Sequence, residues 1–346
     1  MTDVTTTPAD EPEVEAEEAV REVPFWQRLV SGSATWVGLI LVGLIVVFSL
    51  LKPDSFLSSA NFRNIATDAA VLLVLATGMT YVIITAGIDL SVGAVLVFSG
   101  VVSAKAMNAT GGNDWGVIIL GLVVALAAGF GWGLINGFLV AKGRIPPLIV
   151  TLGTLGMSLG AALVITGGVD EREVPFKLIT TIGIGRAFNQ IPWLVIIAFA
   201  VALVFGVILA GTRFGRYTYA VGSNEEAARR AGIAVDLHLI KVYALAGTLS
   251  GLAGFLSLAR FSTTTIGAHD TDNLQAIAAV VIGGTSLFGG IGTMLGTVFG
   301  VFIPAVLNNG FIIVGVQAFW QQIAVGAVLI GAVYLDQLRR RSQDQR

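Results

Sequence analysis

From residue 273 to residue 335 the chain runs 63 residues without an Asp, Glu, Lys or Arg. A water-facing surface of that length needs charge, and a bilayer does not. Hydrocarbon is about 30 Å thick and a helix rises 1.5 Å per residue, so one crossing takes roughly 20 mostly apolar residues. The stretch is long enough for three, with breaks expected at Gly289-Gly290 and Asn309-Gly310. The rest of the chain agrees. It is 55% hydrophobic and 12% charged, where a soluble domain carries about 25% charge.

Counting uninterrupted stretches between charges gives one span each in 29–51, 69–88, 115–141, 145–169, 187–212 and 242–259, and a short one in 90–104. The expectation is an all-α integral membrane protein of about ten transmembrane helices, occupying 29–338 and solvated by membrane lipid. Residues 33–51 alone hold twelve Leu, Ile, Val or Phe, worth about −4 to −7 kcal/mol of insertion.

Residues 1–22 hold eight acids against Arg21, and no apolar face recurs there. Residues 1–28 therefore read as a disordered acidic tail and 339–346 as a basic one. With both termini in the cytoplasm, inside segments collect thirteen Lys and Arg and outside segments seven, as the positive-inside rule asks. Trp36, Trp115, Trp193 and Trp320 fall near span ends, where amphipathic rings prefer the interface. The 43 glycines read as sites of close helix approach. Leu134-Ile135-Asn136-Gly137-Phe138 and Leu307-Asn308-Asn309-Gly310-Phe311 lie five spans apart, a spacing that permits an inverted repeat.

Several chemistries are excluded. A net charge of −2 gives no basic field for nucleic acid. There is no cysteine, no P-loop, and only His238 and His269, which lack metal-ligand spacing. No catalytic residues are expected, and an active transporter of this kind draws its energy from a partner or an ion gradient.

Polar motifs remain. In the cytoplasmic loop 212–237, Ser223-Asn224-Glu225-Glu226-Ala227-Ala228-Arg229-Arg230-Ala231-Gly232 reads as a short helix. Ser223 or Asn224 is the N-cap, acids fill the first turn, Arg the last, and Gly232 ends it. It is either a solvated connector or a docking helix. Asp89 and Ser91, between two spans, either cap the next helix or form a gate. Asp68 reads as a snorkelling or capping carboxylate at the outer end of a span. Gln275, Thr285, Ser286, Asn308, Asn309, Gln317, Gln321 and Gln322 offer neutral hydrogen-bonding groups of the kind a sugar needs, or glue between helices.

Together, Ala86-Gly87-Ile88-Asp89-Leu90-Ser91-Val92-Gly93, Asn136-Gly137, the run Arg144-Ile145-Pro146-Pro147 through Thr151-Leu152-Gly153-Thr154, Ala220-Val221-Gly222-Ser223-Asn224 and Gly283-Gly284-Thr285-Ser286-Leu287-Phe288-Gly289-Gly290 resemble the ribose/xylose/arabinose-type permeases of bacterial ABC sugar importers, over roughly residues 60–335. The resemblance implies a multi-pass protein of the bacterial inner membrane. It implies a second permease subunit, a cytoplasmic ATP-binding subunit that carries the ATP and Mg, and an extracytoplasmic sugar-binding protein, with no cofactor on this chain. Ser223, Asn224, Glu225, Glu226, Ala227, Ala228 and Gly232 become the ATPase-coupling helix. Glu226-Ala227-Ala228 followed by Gly232 is similar to the family's Glu-Ala-Ala-x-x-x-Gly loop, although the downstream Ile-x-Leu-Pro is missing. Asp89, Ser91, Asn136, Thr151, Thr154, Gln275, Thr285, Ser286 and Asn309 become pathway or gate candidates. Related permeases carry nucleosides or branched-chain amino acids. A secondary carrier is the reading from another class, disfavoured by the lack of carboxylates deep in a span.

Overall fold

The structure, a computed structural model, describes residues 33–317 and residues 320, 323, 326, 327, 331 and 334. Both charged tails, Gln321 and Gln322 lie outside the described residues. Eight described helices are long and apolar enough to cross a membrane. They are α1 (Ser33–Leu51), α3 (Ser59–Ile84), α4 (Val92–Thr110), α5 (Trp115–Ala141), α6 (Pro147–Thr166), α8 (Trp193–Gly211), α11 (Val235–Phe261) and α13 (Met294–Val314). Shorter pieces link them: α2 (Pro53–Phe56), α7 (Phe176–Leu178), a two-stranded ribbon of β1 (Arg186–Ala187) and β2 (Ile191–Pro192), α9 (Arg213–Ser223), α10 (Glu225–Arg230) and α12 (Asp272–Ile282).

Side chains at helix ends explain where the spans begin. Ser58 accepts a hydrogen bond from the Asn61 N–H and starts α3 ten residues earlier than charge counting places it. Asp114 accepts from the N–H groups of Gly116 and Val117 to start α5. Thr293 accepts from Gly296 to start α13. Stretches bounded at Asp68, Lys105 and Lys241 are trimmed wherever a helix carries a charge inside it.

The uncharged stretch 273–335 departs from three equal spans. It contains α12, at eleven residues about half a crossing, then an irregular segment 283–293, then α13. The break at Gly289-Gly290 is present, with φ of 84° and 72°. The break expected at Asn309-Gly310 is not. Helix α13 continues through it and ends at Gly315, whose φ is 86°. Gly310 serves close approach instead, since a Cβ there would lie 2.5 Å from the Phe48 ring.

Helix α11 is the hub, packed on α3, α4 and α5. Its seam with α5 is made of glycine. A Cβ on Gly133 would lie 2.4 Å from the Tyr243 carbonyl oxygen, and one on Gly247 would lie 2.3 Å from that of Gly129. The spacings Gly129-Gly133-Gly137 and Gly247-Gly251 are the small-residue ladders that let membrane helices touch backbone to backbone. Helices α3 and α11 are mostly buried, whereas α1, α5, α6 and α8 expose most of their surface and are the most apolar spans. That inversion of soluble-protein patterning is what lipid as solvent requires.

The connectors gather at two ends. At one end Lys142 pairs with Asp236 at 2.9 Å, and the Gly290 N–H donates to the Ile84 carbonyl at 2.9 Å. At the other, Lys105 pairs with Glu171. There Asp170 accepts from Thr264 and the Ile266 N–H, and the Lys177 ammonium lies 5.0 Å over the Trp115 ring. Helix α5 runs toward the first end and α13 toward the second, so the two Asn-Gly segments point oppositely. Among the described residues each end holds seven Lys and Arg. The thirteen-to-seven bias therefore rests on the cations of the two tails.

Candidate functional site

Three polar assemblies stand out in this apolar bundle. The first is α10 with its surroundings. Asn224 is its N-cap, accepting from the Ala227 N–H at 2.8 Å, and Gly232 follows its end at φ 83°. Ser223 closes the preceding helix α9. Ala228 is buried against Val221 and Val235, which seats the helix on the body. Arg229 bridges Glu225 at 2.8 Å and Asp236 at 2.5 Å, and Asp236 also holds Lys142. One face of α10 is thus pinned by packing and charge. The opposite face carries only the exposed Glu226–Arg230 pair, which at i,i+4 is worth about 0.3–0.5 kcal/mol and leaves both groups open to a partner.

Close backbone contacts tie α10 to the interior. A Cβ on Gly222 would lie 1.6 Å from the Ile84 carbonyl, and one on Gly290 would lie 3.0 Å from the Ser223 Cα. Segment 283–293 and the end of α3 are thereby packed directly on the root of α10. A cavity of about 520 Å³ opens beside it, bounded by Thr85, Ala86 and Gly87, by Arg144 to Pro147, by Glu225 and Arg229, and by Tyr243.

The second assembly is a chain of side-chain hydrogen bonds. Ser91 donates its hydroxyl (2.6 Å) and its N–H (2.9 Å) to Asp89 Oδ1. Asn136 Nδ2 donates to Ser91 Oγ at 2.8 Å, and Thr154 Oγ1 donates to Asn136 Oδ1 at 2.7 Å. Thr151 donates to the Pro147 carbonyl at 2.9 Å, facing the Ile88 carbonyl at 3.4 Å. Five of the nine pathway candidates therefore meet across α4, α5, α6 and the connector 85–91. Asp89 holds the Ser91 N–H just before α4, but no side chain bonds an N–H group inside the first turn of α4, so neither Asp89 nor Ser91 caps that helix as expected. Burial pushes its carboxyl above the ordinary carboxylate range, while the bonds from Ser91 and Asn136 pull it down.

The third assembly lies toward the other end. Gln275 and Asn309 line a cavity of about 240 Å³ between α3, α11, α12 and α13, with Asp68, Arg260, Asn308, His269 and Asp272. Arg260 donates to Asp68 at 2.5 Å, and His269 Nδ1 lies 2.7 Å from Asp272. Asn309 Nδ2 donates to Asn61, but Asn309 Oδ1 is buried without a partner. Asn308 makes no side-chain hydrogen bond. Thr285 and Ser286 join neither cluster. They shape segment 283–293, where Ser286 Oγ accepts from the Phe288 N–H and Thr285 Oγ1 is buried without a partner.

The profile of the family described as "Branched-chain amino acid transport system / permease component" matches residues 61–333. The chain belongs to this permease family. Its relatives align along most of their length. The chain is 40% identical over 301 residues to the ribose import permease protein of Bacillus subtilis, covering 85% of this chain and 89% of the relative. It is 37% identical over 299 residues to the D-allose transport system permease protein of Escherichia coli K12 (86% and 90%). It is 33% identical over 322 residues to the fructose import permease protein of Rhizobium meliloti (91% and 88%). No solved structure matches. The protein is a multi-pass membrane protein of the permease family, and the expected resemblance holds.

Sequence reasoning missed the Asp68–Arg260 pair. Spans counted from charge to charge begin after Asp68 and so set it at an end as a snorkelling or capping carboxylate, and its exposure of 57% agrees with the first of these. The cap is Ser58, and Asp68 sits about 14 Å along α3 at 1.5 Å per residue. Reading the Ser-x-x-Asn start at Ser58 would have placed a carboxylate inside the span. Nothing local names Arg260, 192 residues away, as its partner.

Proposed function

We propose that this chain is the permease subunit of an ATP-driven importer for a monosaccharide, working in the bacterial inner membrane with its α10 end in the cytoplasm. The carrying observation is α10 itself: a capped helix fixed on one side and bare on the other, rooted by backbone contact in the two segments that lead into the bundle. An ATPase subunit engages Glu226 and Arg230, and the work of ATP binding and hydrolysis is done there, with its Mg. Movement of α10 is carried through Gly222 and Ser223 to Ile84 and to 283–293. It passes from there to α12 and to the connector that holds Asp89. A second permease subunit completes the pore, and a sugar-binding protein delivers solute at the opposite end. The opposed directions of α5 and α13 support an inverted repeat about that pathway.

The names of the relatives favour ribose, allose or fructose, while the family description names branched-chain amino acids. Co-reconstitution of the chain with its ATPase and binding-protein partners decides between them. ATP-driven accumulation of a labelled monosaccharide from a panel of D-ribose, D-allose and D-fructose is the expected result. Accumulation of L-leucine and of none of these sugars would overturn the reading.

A further inference from the structure

We infer that the cavity of about 520 Å³ beside α10 is a regulatory site for a phosphorylated monosaccharide, which holds α10 still when it binds. The binding part stands on the cavity alone, and the regulatory part rests on the importer reading. The walls come first. They are the connector 85–87, the end of α5, the start of α6, the pinned face of α10, and the part of α11 that carries Leu239 and Tyr243. The hydrogen-bonded chain of Asp89, Ser91, Asn136 and Thr154 takes no part in the lining. Charge then sets one end of the ligand. Three charged side chains line the cavity. Glu225 accepts from Arg229 at 2.8 Å and 3.2 Å, so these two cancel. Arg144 has no ion pair or side-chain hydrogen bond among the described residues, which leaves one positive charge and a free guanidinium fork. Helix α6, 20 residues long, begins at Pro147 with no side-chain cap, and Pro146 and Pro147 line the cavity. The positive end of that helix is thus bare beside Arg144. A guanidinium fork next to an uncapped helix N-terminus is matched to phosphate.

An uncharged wall sets the other end. Tyr243 is 0% exposed, and its hydroxyl has no hydrogen-bond partner. That hydroxyl sits against Gly87, also in the lining, where a Cβ would lie 2.6 Å from it. Buried hydroxyls are normally matched, and a sugar hydroxyl in the cavity matches this one. The volume is within the roughly 300–1,000 Å³ of small-molecule sites, room for a five- or six-carbon sugar carrying one phosphate. The imported sugar is neutral. The class of reaction that consumes it and yields a ligand of this charge is phosphoryl transfer from a nucleoside triphosphate to one of its hydroxyls. Bound in the cavity, the phosphate ester ties α10 to the connector 85–87, across the path that carries movement of α10 inward. Accumulated product thereby arrests further import.

The test uses the chain with its ATPase and binding-protein partners in phosphatidylcholine nanodiscs, with labelled D-ribose 5-phosphate as the probe. Saturable binding is expected, and D-ribose without the phosphate should not compete. Arg144→Gln should weaken binding by about tenfold or more, and Tyr243→Phe by about threefold. Tyr243→Phe removes only an unmatched hydroxyl, so it should assemble as the wild type does and keeps the result readable if Arg144→Gln assembles poorly. In vesicles, the same compound on the α10 face should suppress ATP-driven sugar uptake by the wild type. It should not suppress uptake by Arg144→Gln, which without the compound should match the wild type. No binding to the wild type, or binding that both variants leave unchanged, overturns the site. Binding abolished by phosphatidylglycerol in the nanodiscs assigns the phosphate to a lipid headgroup and overturns the soluble ligand. Binding that depends on Arg144 while uptake ignores the compound overturns the regulatory role. A wild-type complex that moves no sugar, yet binds the compound through Arg144, removes the importer reading and the regulatory role and leaves the site standing.

Discussion

Asp89, Ser91, Asn136 and Thr154 are each at most 2% exposed, and their donors run in one line to matched acceptors. Asp68, Gln275, Asn308 and Asn309 surround a cavity, and several of their groups have nothing to bind. The two clusters use the same residue types. The first is closed and fixes how the connector 85–91 sits on α5 and α6. The second is open and leaves Asn309 Oδ1 unmatched. In lipid an unmatched polar group has no water to fall back on, so a saturated cluster of this kind is held rigidly in place.

Breaking the closed cluster should cost most. Asn136→Leu unlinks Ser91 from Thr154 and strands buried groups, so we expect a loss on the order of 2 kcal/mol or more and an early unfolding transition in detergent. Asn308→Leu in the open cluster should shift the same transition by less than about 0.5 kcal/mol. Equal losses in the two would erase the contrast.

Asp89→Asn comes next and sharpens the comparison by pH. Burial raises the Asp89 carboxyl, so folding favours its protonated form. Its stability contribution is full below the unfolded carboxylate value, about 4, and is lost as pH rises through the higher folded value. Asn keeps the acceptor for Ser91 and lacks that loss. The variant should therefore gain on the wild type in melting temperature as pH increases, and it should transport normally. Loss of uptake in well-folded Asp89→Asn would show that the closed cluster needs its charge and acts as a gate.

Glu226→Arg should move stability least, by about 0.5 kcal/mol, because an exposed i,i+4 pair holds little. ATP-driven uptake should nonetheless fall at least tenfold while insertion is unchanged. Normal uptake would separate α10 from coupling.

How far each part could be read from the sequence follows the range of its forces. Helix α10 was legible down to a choice between Ser223 and Asn224 as its cap, since Asn224, two acids, two arginines and Gly232 each act on groups no more than about one turn away. Asp89, Ser91, Asn136, Thr151 and Thr154 were legible one at a time, as polar residues in apolar surroundings. Their hydrogen bonds, up to 63 residues apart in sequence, were not. The cavity was half visible: Gln275, Asn308 and Asn309 were picked out as neutral groups, but Asp68 was set at a helix end with no partner named. The Asn309-Gly310 break failed because glycine ends a helix in one setting and admits a neighbouring ring in another, and only the Phe48 contact distinguishes them.

One measurement reaches the claim beneath all of this, that the chain has no energy source of its own and is driven through α10. Sugar accumulation is followed in vesicles holding the chain alone under an imposed proton or sodium gradient, and then in vesicles that also contain the ATPase, the binding protein and ATP. We predict no accumulation in the first and accumulation in the second. Gradient-driven accumulation by the chain alone would contradict the account.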